Sequence, residues 1–341
     1  MRQKRWLALL LVLGVILGIL GGHRLLEVHL PAQGLAADPM GEERGSELMY
    51  VDPERLMADV AALSFPRVEE GDRQQALDYL EQSLTESGWQ TERLPFAEGV
   101  NLVAHLGSPP PGGDRLLLGA HYDTVAQSPG ADDNASGIAV VLEVARLLGT
   151  GQMQTQRSLT LAIFDQEETG LVGSRALAAD TDQLQGLQGA IILDMVGYAC
   201  YRPGCQTYPE RWPLNPMSDR GDFLAVIGDR PHPDLVEAFA PTDSDRTPPI
   251  LSLLVPAEST LLPDVARSDH AAFWEQGIGA VLVTDTANFR NPHYHQASDR
   301  PETLDRDFLT ASAQRVWEAL VTLLTATSSA DAPSETILSR A

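Results

Sequence analysis

Short apolar runs alternate with amphipathic segments along most of the chain. The apolar runs predict strands and the amphipathic segments predict helices, because the two patterns repeat with periods of two and 3.6 residues. The expected strands are 101–106, 115–120, 158–164, 190–193, 223–227, 250–255 and 280–284. The expected helices are 72–87 (capped by Asp72), 136–148, 172–184 and a last one capped by Thr303 that reaches about Leu324. This alternation indicates an α/β fold with a mostly parallel sheet covered by helices on both faces.

The amino terminus has the pattern of a membrane signal. Three basic residues, Arg2, Lys4 and Arg5, precede an uncharged apolar run from Trp6 to Gly22. A helix of that length rises about 25 Å, near the lower limit for crossing a bilayer. The basic flank should stay cytoplasmic, so that the rest of the chain is exported. We expect a signal anchor, with an extracytoplasmic folded domain; a cleaved signal peptide, giving a secreted or periplasmic protein, is the alternative.

The remaining chain predicts one folded domain with short flanking segments. The anchor or signal peptide would occupy 1–24, a linker 25–45, the domain 46–327 and a disordered tail 328–341. Within the domain, Cys200 and Cys205 are close in sequence, and in an oxidising compartment they are expected to form a disulfide.

The charged residues exclude several classes of function. There are 24 Lys and Arg against 47 Asp and Glu, a net charge of −23. Nucleic acid and anionic membrane surfaces are therefore poor partners, and membrane contact is expected through the amino-terminal segment only. Since Lys4 is the only lysine, P-loop, Schiff-base and Ser–Lys chemistries are also excluded.

Acids and histidines follow the predicted strands where each strand ends. His121 and Asp123 come after the strand at 115–120, Glu167 and Glu168 after 158–164, and Asp194 after 190–193. Any one such residue is most often a turn former or a helix cap. Ligands of parallel sheets, however, bind beyond the carboxyl ends of the strands, and here several candidates meet at that edge.

Two further segments add residues of the same kind. Asp133 lies in a Gly-flanked turn at 130–137, and His295 lies shortly before Asp299. Crowded carboxylates repel one another, and a divalent cation is the simplest group that holds them together. Imidazole and carboxylate without thiolate favour zinc, with Co²⁺ or Mn²⁺ as substitutes. The number of candidates exceeds one catalytic zinc site and suggests two metal ions with a shared carboxylate.

The motifs together resemble the co-catalytic zinc aminopeptidases of metallopeptidase family 28. They cover most of the chain from about 55 to 325, in the order found in that family. The matching stretches are GAHYDTV at 119–125, GADDNASGIAVVLE at 130–143, FDQEETGLVGS at 164–174, ILDMVGY at 192–198, SDHAAFWEQGI at 268–278 and NPHYHQASDRPETLD at 291–305.

The resemblance implies a role for each matching position. One zinc ion would be held by His121 and Asp194, the other by Glu168 and His295, and Asp133 would bridge both. His295 is preferred to His293 because the spacing from 295 to 299 is the one the family has.

Three further residues are implied to assist catalysis. Glu167 would be the general base, taking a proton from a metal-bridging water and returning it to the leaving amine. Asp123 would accept a hydrogen bond from the ring of His121, and Tyr294 would stabilise the tetrahedral oxyanion.

The function expected from this resemblance is removal of amino-terminal residues from peptides. A single-zinc glutaminyl-peptide cyclase is one alternative, but filled ligand positions for two ions speak against it. A non-catalytic ectodomain is another, although such a protein would be expected to lose ligands. Carboxypeptidase or dipeptidase specificity in the same fold stays open.

Overall fold

The computed structural model describes residues 49–107, 113–210, 218–240, 247–256 and 263–326. The predicted anchor, the linker and the tail lie outside these ranges. Among the residues described, none of the helices combines the length and the apolar character that a membrane crossing needs.

An eight-stranded sheet forms the centre of the molecule. Its strands, in chain order, are β1 (Gln90–Phe96), β2 (Gly99–His105), β3 (Arg115–His121), β4 (Ser158–Phe164), β5 (Leu187–Leu193), β6 (Leu224–Asp229), β7 (Ile250–Val255) and β8 (Ala280–Thr284). Across the sheet the order is β1-β2-β4-β3-β5-β8-β6-β7.

The sheet is parallel at its centre and antiparallel toward its edges. Strands β4, β3, β5 and β8 run parallel to one another, as predicted. On one side β1 and β2 form an antiparallel hairpin, because Ala97 and Glu98 leave room only for a tight reversal. On the other side β6 runs antiparallel to β8, and β7 runs parallel to β6. The sheet is therefore mixed and contains more antiparallel strand pairs than the mostly parallel sheet that the sequence predicts.

Helices cover both faces of this sheet, as predicted. They are α1 (Pro53–Leu63), α2 (Glu70–Glu86), α3 (Gly137–Gly149), α4 (Val172–Ala178), α5 (Thr181–Leu184), α6 (Pro233–Glu237), α7 (His270–Trp274) and α8 (Arg306–Thr325). One core, which includes Leu80, Ile138 and Trp317, lies beneath α1, α2, α3 and α8. A second core, which includes Leu177 and Phe273, lies on the opposite face beneath α4 and α7.

Several helix boundaries differ from the predicted ones for local reasons. The segment expected to form one helix at 172–184 is divided, because the side chain of Asp180 accepts from two backbone amides and starts α5. The last helix is capped by Asp305, which accepts from the Phe308 amide, and not by Thr303. Asp72 lies inside α2 instead of capping it.

The four parallel strands place the candidate residues on one edge. Strands β4, β3, β5 and β8 are neighbours, and their carboxyl ends are followed by Asp165, Tyr122, Asp194 and Asp285. Segments distant in sequence therefore meet there.

Candidate metal centre

Each predicted site residue on the parallel strands reaches this edge. His121 is the last residue of β3, Glu167 and Glu168 lie in the turn after β4, and Asp194 directly follows β5. His121 is 1% exposed, whereas the other three border an open cavity. The other residues of that cavity include Asp133, Arg267, Tyr294 and His295.

Two clusters of potential metal ligands lie side by side. The His121 cluster consists of His121, Glu167 and Asp194, and the His295 cluster consists of Asp133, Glu168 and His295. Within each cluster, one potential ligand atom per residue lies within 4.8 Å of the others. His121 Nε2 is 3.6 Å from Asp194 Oδ1, and His295 Nε2 is 2.9 Å from Glu168 Oε2.

Asp133 faces both clusters. Its Oδ1 is 3.3 Å from His121 Nε2, and its Oδ2 is 3.2 Å from His295 Nε2. The two oxygens of one carboxylate are thus directed at two imidazoles on opposite sides of it. This is the arrangement that a bridging ligand requires.

The donor set fits divalent cations. Across the described ranges, no arginine forms an ion pair with a member of either cluster; the ion pairs are with His121 and His295. Two buried atoms, Glu168 Oε1 and His121 Nδ1, also have no hydrogen-bond partner among the residues that the structure describes. Buried carboxylates without a compensating cation are costly, and nitrogen and oxygen donors in this combination suit zinc.

The protonation equilibria of the acids lead to the same conclusion. Burial, and after it the charges of neighbouring acids, raises the pKa of Glu167 well above its ordinary value. Burial also raises the pKa of Glu168 to about 7, with Asp133 adding to the effect. In the absence of a metal, these acids gain from binding protons, and a bound cation can replace those protons.

The pKa values of the two imidazoles are raised, although burial alone would lower them. Burial lowers the pKa of His295, but hydrogen bonds to Asp133 and Glu168 outweigh it and raise the pKa to about 10. Burial likewise lowers the pKa of His121, and the surrounding acids raise it well above the ordinary value. Both rings therefore lie in an environment that favours positive charge.

Asp123 holds the turn that carries the two glutamates. Its Oδ1 accepts from the Glu167 amide at 3.0 Å, and its Oδ2 accepts from the Glu168 amide at 3.1 Å. Its Oδ1 is also 3.5 Å from Nδ1 of His121, a longer contact. Asp123 thus fixes the backbone of the glutamates, a task that the sequence did not indicate; the hydrogen bond expected from the His121 ring stays a prediction.

Asp299 holds the turn of Asp133 in the same way. Its two oxygens accept from the amides of Asp132 and Asp133, at 2.9 and 3.1 Å. In the sequence, Asp299 served only to identify His295 by spacing. Its hydrogen bonds to backbone amides give it a structural task that no local sequence pattern indicates.

The turn that carries Asp133 is also bonded to the segment after β5. Asn134 Nδ2 donates to the Leu193 carbonyl at 2.8 Å, and the Met195 amide donates to Asn134 Oδ1 at 3.2 Å. The Val196 amide donates to Ser136 Oγ at 3.1 Å. These bonds fix Asp133 relative to the segment of Asp194 without help from a metal.

Tyr294 borders the cavity beside its neighbour in sequence. The rings of Tyr294 and His295 are stacked, with centroids 3.8 Å apart and planes 20° from parallel. Burial raises the pKa of Tyr294, so its hydroxyl stays protonated and can donate. His293 belongs to neither cluster; its Nδ1 lies 2.9 Å from Ser298 Oγ.

A second, largely apolar pocket adjoins the cavity. The two share Asp194, Arg267 and Ala287 as walls. The apolar wall residues include Ala225, Ile227, Leu251, Leu253, Val265, Leu282 and Phe289.

A disulfide lies next to this pocket. Cys200 and Cys205 are bonded as expected, and Gln206, Thr207 and Tyr208, which follow directly, line the pocket. The disulfide-closed loop therefore leads into the pocket wall.

Arg67 is a buried residue of the site that sequence reasoning missed. It is 1% exposed, and its guanidinium donates to the carbonyls of Pro129 and Gly130 at 3.1 and 3.2 Å. It also donates to the Tyr122 carbonyl, so that one side chain joins the end of β3 to the start of the Asp133 turn. No motif surrounds Arg67, and the two site segments that it joins lie 55 to 63 positions away in sequence.

The fold and the two ligand clusters define an α/β metallohydrolase. The acids and imidazoles lie at the carboxyl edge of a central parallel sheet, beside an open cavity, and their donor atoms suit zinc.

Comparison with known proteins gives the family. The model for peptidase family M28 matches residues 101–320, so the chain belongs to that family. The uncharacterised protein YfbL of Escherichia coli strain K12 is 34% identical over 265 residues, which are 72% of this chain and 78% of that protein. The probable lipoprotein aminopeptidase LpqL of Mycobacterium tuberculosis is 28% identical over 57% of this chain, but the match spans only 39% of LpqL.

Solved structures agree on the fold. The LapA aminopeptidase of Legionella pneumophila superimposes with a TM-score of 0.65 at 19% identity, over 82% of this chain and 73% of that one. A glutaminyl cyclase of Bacteroides thetaiotaomicron has a TM-score of 0.58 at 18% identity, over 81% of this chain and 99% of that one. Aminopeptidases and a cyclase share this fold, so the choice between them depends on the site.

Proposed function

We propose that this chain is a zinc-dependent aminopeptidase with two zinc ions, which removes amino-terminal residues from peptides. The observation that carries the proposal is the position of Asp133, whose two oxygens face His121 and His295 at 3.3 and 3.2 Å. A single-zinc cyclase has no need of a carboxylate shared between two complete ligand clusters.

The metal ligands in this proposal are five residues of the two clusters. One zinc would be held by His121 and Asp194, the other by Glu168 and His295, and Asp133 would contact both. When bound, zinc supplies Lewis acidity that polarises the scissile carbonyl and lowers the pKa of a water molecule.

Glu167 is the proposed general base and later the general acid. It borders the cavity, and its backbone is fixed by Asp123, which accepts its amide hydrogen at 3.0 Å. Its carboxylate would take a proton from the attacking water and return it to the nitrogen of the leaving amine. Glu167 lies in the His121 cluster, where His121 and Asp194 would hold the zinc ion, and the proposal leaves its carboxylate unligated for this transfer.

Tyr294 and Asp123 are the proposed assisting residues. The hydroxyl of Tyr294 would donate a hydrogen bond to the carbonyl oxygen as negative charge develops on it. Its stacking on His295 supports a fixed ring orientation. Asp123 would fix the orientation of the His121 ring and of the glutamate turn.

The apolar pocket is the proposed site for the side chain of the amino-terminal residue. It joins the cavity at Asp194 and is walled by aliphatic side chains such as Ile227, Leu253 and Leu282. A substrate whose scissile carbonyl lies at the clusters can place its first side chain there, while the surrounding acids attract its amine. We therefore expect a preference for leucine-like or aromatic residues.

The proposed location of the catalytic domain is outside the cytoplasm. The disulfide between Cys200 and Cys205 supports an oxidising compartment, as does the similarity to a relative named as a lipoprotein. Peptides outside the cytoplasm would be the substrates, and anchoring through residues 1–24 stays part of the proposal.

The test is hydrolysis of aminoacyl-p-nitroanilides by the purified protein, with and without a chelator, beside a peptide that begins with glutamine. Chelator-sensitive release of nitroaniline, fastest with leucine, supports the aminopeptidase. Cyclisation of the glutamine peptide without hydrolysis would favour the cyclase instead. Hydrolysis that is insensitive to chelation, or release of carboxy-terminal residues only, would refute the proposal.

A further inference from the structure

The side chain of Asp132 is completely buried and belongs to neither metal cluster. Its Oδ1 accepts a hydrogen bond from the amide of Gly197 at 2.9 Å. Its Oδ2 accepts one from Nδ2 of Asn291 at 2.7 Å. A buried carboxylate that uses each oxygen for a different segment of the chain acts as a fixed link between those segments.

The two linked segments each carry a ligand of a different cluster. Gly197 lies shortly after Asp194, which belongs to the His121 cluster. Asn291 lies shortly before His295, which belongs to the His295 cluster. Asp132 thus connects the backbone of one cluster with that of the other, by a route that does not pass through a metal.

The backbone of Asp132 is held just as firmly as its side chain. Its amide donates to Asp299 Oδ1 at 2.9 Å, and the next amide, that of Asp133, donates to Asp299 Oδ2 at 3.1 Å. Asp133 is the residue that faces both clusters. The side chain and the backbone of this one turn therefore fix three of the five proposed ligands relative to one another.

A neighbouring acid extends the link. The carboxyl group of Asp285 lies close to that of Asp132. It also accepts from the amides of Tyr198 and Ala287, both at 2.9 Å. Because Asp285 begins the loop that contains Asn291, its bond to Tyr198 attaches that loop to the Gly197 segment a second time.

We propose that Asp132 is a positioning residue that sets the separation between the two halves of the metal centre. This inference rests on the proposed two-zinc function. Asp132 touches no substrate and no proposed metal; it acts through Gly197 on one half and through Asn291 on the other. Residues of this kind around metal sites change metal affinity by roughly 10- to 100-fold when they are replaced.

Asp132→Asn should keep the hydrogen bond to Gly197 and break the one to Asn291. The new amide has a single acceptor oxygen, which should turn to the Gly197 backbone amide, because that donor is fixed whereas the Asn291 side chain can move. Its NH₂ group, however, faces the NH₂ group of Asn291, and two donors cannot bond to each other. Asn291 cannot simply turn over, because its Oδ1 already accepts from the His293 amide at 2.8 Å. The loop of His295 should therefore lose its attachment while the segment of Asp194 keeps its own.

The expected result is selective loss of one metal ion. In Asp132→Asn, one Co²⁺ should bind as tightly as in the wild type, and the other should bind roughly 10- to 100-fold more weakly. The weak site should be the His295 cluster. Loss of its cobalt absorption bands, with those of the other ion retained, is a readout that general destabilisation would not produce.

A second substitution should restore the link. In the double variant Asp132→Asn/Asn291→Asp, the donor and the acceptor exchange places, and the new carboxylate can still accept from the His293 amide. The affinity for the second Co²⁺ should return to within a few-fold of wild type. Asn291→Asp alone brings two carboxylates together and should weaken the same site.

The control is a buried acid with the same kind of bonds far from this edge. Asp229, at the end of β6, is 2% exposed and accepts from the Ala280 amide at 3.2 Å. Because β6 runs antiparallel to β8, this residue lies toward the opposite edge of the sheet. Asp229→Asn should leave both cobalt affinities unchanged.

The experiment is a Co²⁺ titration of the metal-free full chain and these variants, followed by visible absorption and by bound metal per chain. Selective weakening in Asp132→Asn with recovery in the double variant supports the proposal. The proposal would be overturned if Asp132→Asn bound both Co²⁺ ions as tightly as the wild type does. It would also be overturned if the double variant bound the second Co²⁺ ion no better than Asp132→Asn. A wild type that binds only one ion would instead refute the two-metal function on which the inference rests.

Discussion

Glu167 and Glu168 are neighbours in sequence but belong to different clusters. Glu168 pairs with His295 at 2.9 Å, whereas Glu167 lies with His121 and Asp194. The turn after β4 separates the two side chains, and Asp123 holds both of their amides. The proposal therefore assigns the ligand role to Glu168 and the base role to Glu167.

Glu167→Gln tests this division at the scale of one residue. The amide has the same size but cannot accept a proton, so kcat should fall by roughly 10²- to 10⁴-fold. Metal bound per chain should stay at the wild-type level, which elemental analysis can measure. Glu275→Gln is a suitable control, because Glu275 is half-exposed and, among the residues that the structure describes, pairs only with Arg175. Unchanged turnover in Glu167→Gln would remove the proposed base.

Ala225→Leu tests the apolar pocket. Ala225 is 3% exposed and forms part of the pocket wall, so a larger side chain should fill space that the substrate uses. The value of kcat/KM should fall about 10- to 100-fold for a leucyl substrate, because its side chain would lose methylene contacts in the filled pocket. For an alanyl substrate, whose side chain needs little of this space, the value should fall much less. The alanyl substrate is the internal control. An equal loss for both substrates would argue against this use of the pocket.

At the scale of elements, the disulfide loop and the pocket wall form one unit. Gln206 follows Cys205 and accepts from Nε of the buried Arg290 at 2.8 Å. The Thr207 amide donates to the Phe289 carbonyl, also at 2.8 Å. The loop is thus attached to the segment between β8 and α8, which also borders the cavity.

The double variant Cys200→Ser/Cys205→Ser tests the loop. The disulfide closes a short loop, so its loss should lower the free energy of unfolding by about 2 kcal/mol. Because the metal clusters do not contact it, kcat should change little while KM for apolar substrates rises. Denaturant unfolding and steady-state kinetics measure the two effects. A large fall in kcat with KM unchanged would show that the loop serves the clusters instead.

The elements that could be predicted from the sequence are those with a pattern of their own. Strands β7 and β8 were predicted to the residue, because their almost unbroken apolar runs match strands that are largely buried. Strand β1 was missed, since it lies at the edge of the sheet, is largely exposed and contains Pro95. Helix α1 was missed although Asp52 caps it and Pro53 begins it.

The site divides in the same way. The potential ligands could be found because each follows a predicted strand or lies in a motif, and the structure brings all of them together. The residues that hold them could not. Arg67 and Asp299 act on backbone groups that are 55 to 167 positions away in sequence. No local pattern records such contacts, because only the folded chain creates them.

At the scale of the whole molecule, the net charge of −23 has a limited meaning. It excludes polyanionic partners, yet most of the acids are not at the site. The acids of the two clusters are distinguished by their place at one edge of the sheet, and none of them pairs with an arginine of the described ranges. The topology that makes β4, β3, β5 and β8 neighbours creates that edge.

The most direct test of the central claim is a zinc titration of the metal-free protein, followed by hydrolysis of leucyl-p-nitroanilide. If Asp133 joins two metal sites, activity should reach its maximum only when two zinc ions are bound per chain, and chelation should abolish it. Full activity with one ion per chain, or activity that survives removal of all metal, would contradict a two-zinc aminopeptidase.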